Sequence, residues 1–169
     1  MIIRDAVDAD MPTVRDIYNA TILTTTGAWT ETLQTLRERR TWFRHQQRVG
    51  YPVIVAESEG VVVGFAAYES FRGAGKWPGY RHTAEHSIHV DRSYWGRGIG
   101  RSLLEALMDR ARDADIHVMV AAVDSANIES IRFHARLGFT EVARMPETGR
   151  KFGRWLDLVL MQRILDDRR

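Results

Sequence analysis

The chain has 169 residues, enough for one domain with a sizeable core and too few for two. Hydrophobic residues make up 44% and charged residues 27%, and the net charge of +2 gives no push toward nucleic acid or a membrane surface. Cysteine is absent, which excludes disulfides, thiolate metal sites and cysteine nucleophiles and fits a cytoplasmic protein. The N-terminus lacks a signal-peptide pattern, and no apolar run approaches the roughly 20 residues that span a bilayer.

In chain order, residues 2–6 read as a short strand. A helix follows to about residue 24, with Asp8 or Asp10 as its cap and Val14, Ile17, Tyr18 and Ile22 on its apolar side. Residues 24–30 are Thr-rich and hold Gly27, the composition of a loop. A second helix is expected from about Leu33 to Arg48, strongly basic on one side. The period then changes: residues 51–57 and 61–68 read as a hairpin around Ser58-Glu59-Gly60. Residues 71–82, with Pro78 and no periodicity, read as a loop. A strand from Thr83 to Asp91 leads through a loop to an amphipathic helix from Ile99 to Ala114, with Leu103, Leu104, Leu107, Met108 and Ala111 spaced three and four apart. Residues 117–123 form an apolar, β-branched run, the pattern of a buried strand. A helix from Asn127 to Leu137 stops at Gly138, and strands over 139–145 and 155–164 complete the chain. The expectation is one mixed α/β domain over 1–169, with about seven strands, mostly antiparallel, and about four helices.

The most informative stretch runs from His89 to Leu104. A strand ends, glycines alternate at Gly96, Gly98 and Gly100, and a helix begins at once. Free N–H groups at a helix start, with the helix dipole behind them, make an anion site, and Arg97 and Arg101 add positive charge there. The expected guest is a phosphate or pyrophosphate. No Lys-Ser/Thr follows the glycines, so this is not a P-loop, and the G-x-G-x-G spacing is not the dinucleotide fingerprint. A plain glycine-rich turn is the competing reading.

The stretch resembles the pyrophosphate loop of GNAT acetyltransferases, Arg/Gln-x-x-Gly-x-Gly/Ala, with Gly98 and Gly100 matching its glycines and Trp95 standing where Arg or Gln is usual. Residues 127–139, which begin with Asn127 and end in Gly138-Phe139, resemble the second signature of that superfamily. Residues 51–53, 83–90, 130–134 and 151–157 together resemble its phosphinothricin and methionine sulfoximine acetyltransferase branch. The resemblance implies acetyl-CoA as co-substrate, direct acetyl transfer to the α-amine of a small amino-acid-like substrate, no metal, and a homodimer. It also implies catalytic roles for Glu85 as base and His134 as an acid near the CoA sulfur. Main-chain groups of Ile88, His89 and Val90 are expected to hold the pantetheine, Gly96, Arg97, Gly98, Ile99, Gly100 and Arg101 the pyrophosphate, and Asn127 and Ser130 the same ligand from the next helix.

For each residue a plainer role competes. By strand alternation Glu85, Ser87 and His89 share one face, and Ala84, His86, Ile88 and Val90 the other. A carboxylate within a sheet is costly unless paired or functional, so Glu85 is either a base or the partner of a cation such as Arg81. Arg72, Gly79 and Tyr80 flank the variable loop as candidates for the substrate, with Arg72 suited to a carboxylate or simply solvated. Trp29 either walls the substrate pocket or packs. His82, His86 and His89 do not share a face and predict no metal site. The alternatives to a small-molecule enzyme are a protein or peptide N-acetyltransferase and a non-catalytic acyl-CoA-binding module.

Overall fold

The computed structural model describes residues 1–73 and 75–165. Seven strands and four helices follow one another as β1 (Ile2–Asp5), α1 (Met11–Thr24), α2 (Leu36–Val49), β2 (Val53–Ser58), β3 (Val61–Ser70), β4 (Thr83–Val90), α3 (Ile99–Asp113), β5 (Val118–Asp124), α4 (Ile128–Arg136), β6 (Thr140–Lys151) and β7 (Arg154–Ile164). They form one sheet in the order β1-β2-β3-β4-β5-β7-β6. Every neighbouring pair is antiparallel except β4 and β5. This is the mixed α/β fold expected from the pattern.

Helices cover both faces. On one, Met11, Val14 and Ile17 of α1 and Phe43 of α2 pack on Val53, Val55, Phe65 and Ala67. On the other, Leu103, Leu104, Leu107 and Ala111 of α3 are buried against Ile54, Ala66, Ala84, Met119 and Val159. The spacing of apolar residues along α3 is what lets one helix face close the larger core.

Local chemistry sets several boundaries differently from the periodicity. α2 starts at Leu36 rather than Leu33, because Thr35 and Glu38 form a reciprocal capping box. Asp10 does not cap α1 through its side chain; its carboxylate accepts from Arg4 and from Val7 N–H instead. β6 runs on to Lys151, beyond Met145, through an irregularity between Met145 and Gly149.

The junction of β4 and β5 positions the site. Their parallel ladder holds only Thr83–Val118, Ala84–Met119 and Glu85–Val120. Beyond Glu85, β4 continues to Val90 and β5 to Asp124 with no pairing between them. The sheet therefore opens into a cleft at the C-terminal ends of its two central strands, just before α3 and α4 begin.

Candidate active site

Main-chain parity decides which groups face this cleft. Phe71 N–H donates to the Thr83 carbonyl and Asp91 N–H to the Val63 carbonyl, so odd-numbered residues of β4 spend their main-chain groups on β3. Val118 N–H donates to the His82 carbonyl, which sets even-numbered residues toward β5. Ile88 and Val90 thus turn their N–H and C=O toward the opening, as His86 does, whereas His89 turns its own toward β3. The Val90 carbonyl already accepts from the Trp95 indole N–H at 2.8 Å. Trp95 therefore braces the strand end from the position where Arg or Gln is usual.

At the mouth of the cleft, α3 begins after Gly98, which adopts φ +78°, and Gly96 lies at φ +76°. A Cβ at either would meet no atom within 4 Å, so the glycines leave open space above the helix N-terminus. Gly100 is different: a Cβ there would rest against the Phe133 ring at 3.6 Å, an ordinary contact, so α3 lies close to α4 at this point. Ile99 is buried behind the turn. Arg97 lies over the Tyr94 ring at 5.0 Å, and Arg101 pairs with Glu105 at 2.9 Å on the exposed side of α3. Free N–H groups, open space and nearby guanidinium groups are the features that receive a pyrophosphate.

On the face of β4 covered by α1 and α2 lies a cavity of about 440 Å³, lined among others by Tyr18, Gln34, Arg39, Trp42, Glu69, Glu85 and Ser87. Glu85 sits at the last rung of the β4–β5 ladder and has no ion pair among the described residues. Arg81, the partner considered from sequence, donates to the Pro78 carbonyl instead. Burial holds the Glu85 carboxyl above the ordinary carboxylate range, and the charge of Glu69 raises it further. His89 lies beside the cavity, stacked on Phe65 at 5.0 Å and edge-on to Tyr18, with its pKa pushed down to about 3 by burial and then by Arg39. It is a neutral wall histidine.

His134 approaches from α4 on the opposite face. Its Nδ1–H donates to the Ser130 carbonyl at 2.7 Å, and its Nε2 lies 3.2 Å from Nε2 of His86, a contact invisible from the sequence because the two lie 48 positions apart. Burial lowers the pKa of His134, opposed by the Ser130 carbonyl; His86 is lowered further, by burial first and then by its neighbours. Asn127 accepts from Ser130 N–H and so caps α4.

The other sequence candidates gather elsewhere. Arg72 is exposed and lies 5.5 Å from the Tyr80 ring, which packs edge-on against Phe71; with Gly79 they form the base of the variable loop and do not line the cavity. Trp29 packs on β6: a Cβ at Gly149 would come within 2.1 Å of its ring. The loop carrying Trp29 is held by Lys151, which is 1% exposed and donates to the Thr25 and Ala28 carbonyls at 2.7 and 2.6 Å. His82 bonds to Asp115, away from His86 and His89.

A sheet that opens between two parallel central strands, with a phosphate-ready helix start at the mouth and a raised carboxyl at the apex, defines a CoA-dependent acyltransferase. Residues 14–139 match the model of the acetyltransferase (GNAT) family, and the chain belongs to that family. It is 45% identical over 167 residues, 99% of this chain and 96% of the relative, to an L-methionine sulfoximine/L-methionine sulfone acetyltransferase of Salmonella typhimurium. It is 34% identical, over 97% and 82%, to a phosphinothricin N-acetyltransferase of Alcaligenes faecalis. Among solved structures, a ribosomal-protein-alanine N-acetyltransferase from Brucella melitensis superposes with a TM-score of 0.94 at 43% identity, covering 97% and 99% of the two chains. An acetyltransferase structure from Salmonella typhimurium with its cofactor acetyl-CoA gives 0.93 at 44% identity, covering 98% and 94%.

Proposed function

We propose that this enzyme transfers the acetyl group of acetyl-CoA to the α-amine of a small amino acid of the methionine sulfoximine, methionine sulfone or phosphinothricin type. The observation that carries this reading is Glu85: a half-buried carboxylate without an ion pair among the described residues, its pKa raised, at the apex of the β4–β5 opening and on the wall of a small cavity. The names of the relatives support the same substrate class.

In this reading the turn at Gly96–Gly100 receives the pyrophosphate, Ile88 and the Val90 N–H bond the pantetheine as an added strand would, and Asn127 and Ser130 border it from α4. The thioester carbonyl then lies where Glu85 and His134 approach from opposite faces. The amine nitrogen attacks the carbonyl carbon, the C–N bond forms, and the C–S bond breaks with its electron pair leaving on sulfur. Glu85 takes the amine proton. His134 is the group proposed to assist the sulfur; because its Nδ1–H is committed to Ser130, it donates a proton only as imidazolium, through Nε2.

The reading extends to a homodimer in the cytoplasm. β6 is a sheet edge, and Val142, Met145 and Trp155 on β6 and β7 are exposed apolar side chains. A second reading, acetylation of a protein N-terminus, draws on the name of the Brucella relative. The cavity of about 440 Å³ favours a small substrate. The test is CoA release from acetyl-CoA over amino acids, amines and N-terminal peptides, read with a thiol reagent to which this cysteine-free chain adds no background. Turnover of peptides alone would overturn the small-substrate reading.

A further inference from the structure

The cavity beside Glu85 carries unused hydrogen-bonding capacity of both kinds. Arg39, on α2, is 3% exposed, and its Nε and Nη2 are closed to solvent without a hydrogen-bond partner among the described residues. Gln34 Oε1, on a residue lining the same cavity, is likewise a buried acceptor without a donor among the described residues. Orphaned buried groups are rare, because each forfeits its hydration, and they concentrate where a ligand completes them.

The arginine is held in place by its faces. Its guanidinium carbon lies 4.2 Å from the centroid of the Tyr18 ring, 4.6 Å from that of Trp42 and 5.7 Å from that of Phe65. Stacking on aromatic rings leaves the guanidinium edge as its only hydrogen-bonding direction, and Nε with Nη2 is the edge that grips a carboxylate in two parallel bonds. No carboxylate among the described residues takes it: Glu69 accepts from the Trp42 indole, and neither Glu69 nor Glu85 forms an ion pair with Arg39. Burial lowers its pKa to about 10, so it stays cationic at neutral pH. Among the described residues lining the cavity it is the one permanent cation.

Resting on the small-amino-acid reading, we infer that Arg39, rather than Arg72, holds the carboxylate of the acceptor amino acid. The acceptors Gln34 Oε1 and Glu85 then face the amino end. The Arg39 donors and the Gln34 and Glu85 acceptors are the complements of the carboxylate and amine that an α-amino acid supplies.

The experiment compares kcat/KM for L-methionine sulfone, its carboxamide and the amine lacking the carboxylate, with wild type, Arg39→Gln, Arg39→Lys and Arg72→Gln, alongside acetyl-CoA affinity by calorimetry. Wild type should favour the carboxylate ten- to a hundredfold, as expected for a charge-assisted bond. Arg39→Gln should bring the ratio near one, chiefly through KM, with acetyl-CoA affinity kept, and Arg39→Lys should retain part of it. A ratio that survives in Arg39→Gln, or collapses only in Arg72→Gln, overturns the assignment. A wild type that treats carboxylate and carboxamide alike overturns it without any variant. If wild type binds acetyl-CoA and acetylates no amino acid, the small-amino-acid reading itself falls and this inference with it.

Discussion

Glu69 of β3 and Glu85 of β4 stand directly opposite each other in the antiparallel ladder, two like charges on the cavity side of the sheet. Such a pair is destabilising unless it serves a purpose. Here Glu69 is tied to the Trp42 indole at 2.9 Å, and its charge helps hold the Glu85 pKa up.

Glu85→Gln should lower kcat by about 10²–10⁴-fold, the usual worth of a general base, and leave acetyl-CoA affinity unchanged. The same variant should melt at a higher temperature at neutral pH. The folded pKa of Glu85 lies above its unfolded value, so the ionised form costs stability at every pH above the folded pKa. That cost fades as pH falls through it. A variant that loses both activity and stability would mark Glu85 as a structural anchor.

Glu69→Gln keeps an oxygen for Trp42 and removes the neighbouring charge. The acid limb of the kcat/KM profile, which reports the base in the free enzyme, should move to lower pH. An unmoved limb would mean that the limb belongs to another group.

Gly98 and Gly60 both have φ +78° with open space at the Cβ position, but Gly60 turns the β2–β3 hairpin and Gly98 starts α3. Alanine at either costs about 1–2 kcal/mol in left-handed backbone. Gly98→Ala should in addition weaken acetyl-CoA binding at least tenfold by calorimetry, and Gly60→Ala should not. Equal affinities would remove the turn from the cofactor site.

Gly149→Ala would drive a methyl into the Trp29 ring, so it should cost about 1–3 kcal/mol by overpacking and loosen the loop that Lys151 holds. The substrate KM should rise more than the KM for acetyl-CoA, because Gly27 and Ala28 of that loop line the cavity.

Elements of strict period were legible in the sequence, above all α3 and the buried β5, because a helix or strand must bury a face with its own spacing. The glycine turn and the parity of β4 were legible for the same local reason. Arg39 was not. It lies in the stretch Arg37-Glu38-Arg39-Arg40, which reads as a solvated basic face, and only the packing of α2 on β3 buries one of its arginines among aromatic rings. Lys151 was likewise hidden, since its partners are carbonyl groups more than a hundred positions away. Arg72 lies beside the loop, exposed and outside the described lining of the cavity, a placement that its position in the sequence does not reveal.

The weight carried by His134 can be measured against that of Glu85. As an obligatory acid His134 must be imidazolium, and burial holds its pKa below the ordinary 6.5, so activity dependent on that form would fall as pH rises through the lowered value. A thiolate needs less help, because thiols ionise with pKa near 8.5 and leave readily as anions. Activity should therefore hold from pH 6.5 to 8, and His134→Gln should lower kcat less than Glu85→Gln does. Replacing His86 with Phe would remove the group that now faces His134 Nε2 at 3.2 Å. If His134 donates through that nitrogen, this second variant should move the profile to higher pH, because Nε2 no longer accepts from His86 and the imidazolium forms more readily. A rate that falls steeply above pH 6.5 and flattens in His134→Gln would instead make the imidazolium the acid of the reaction.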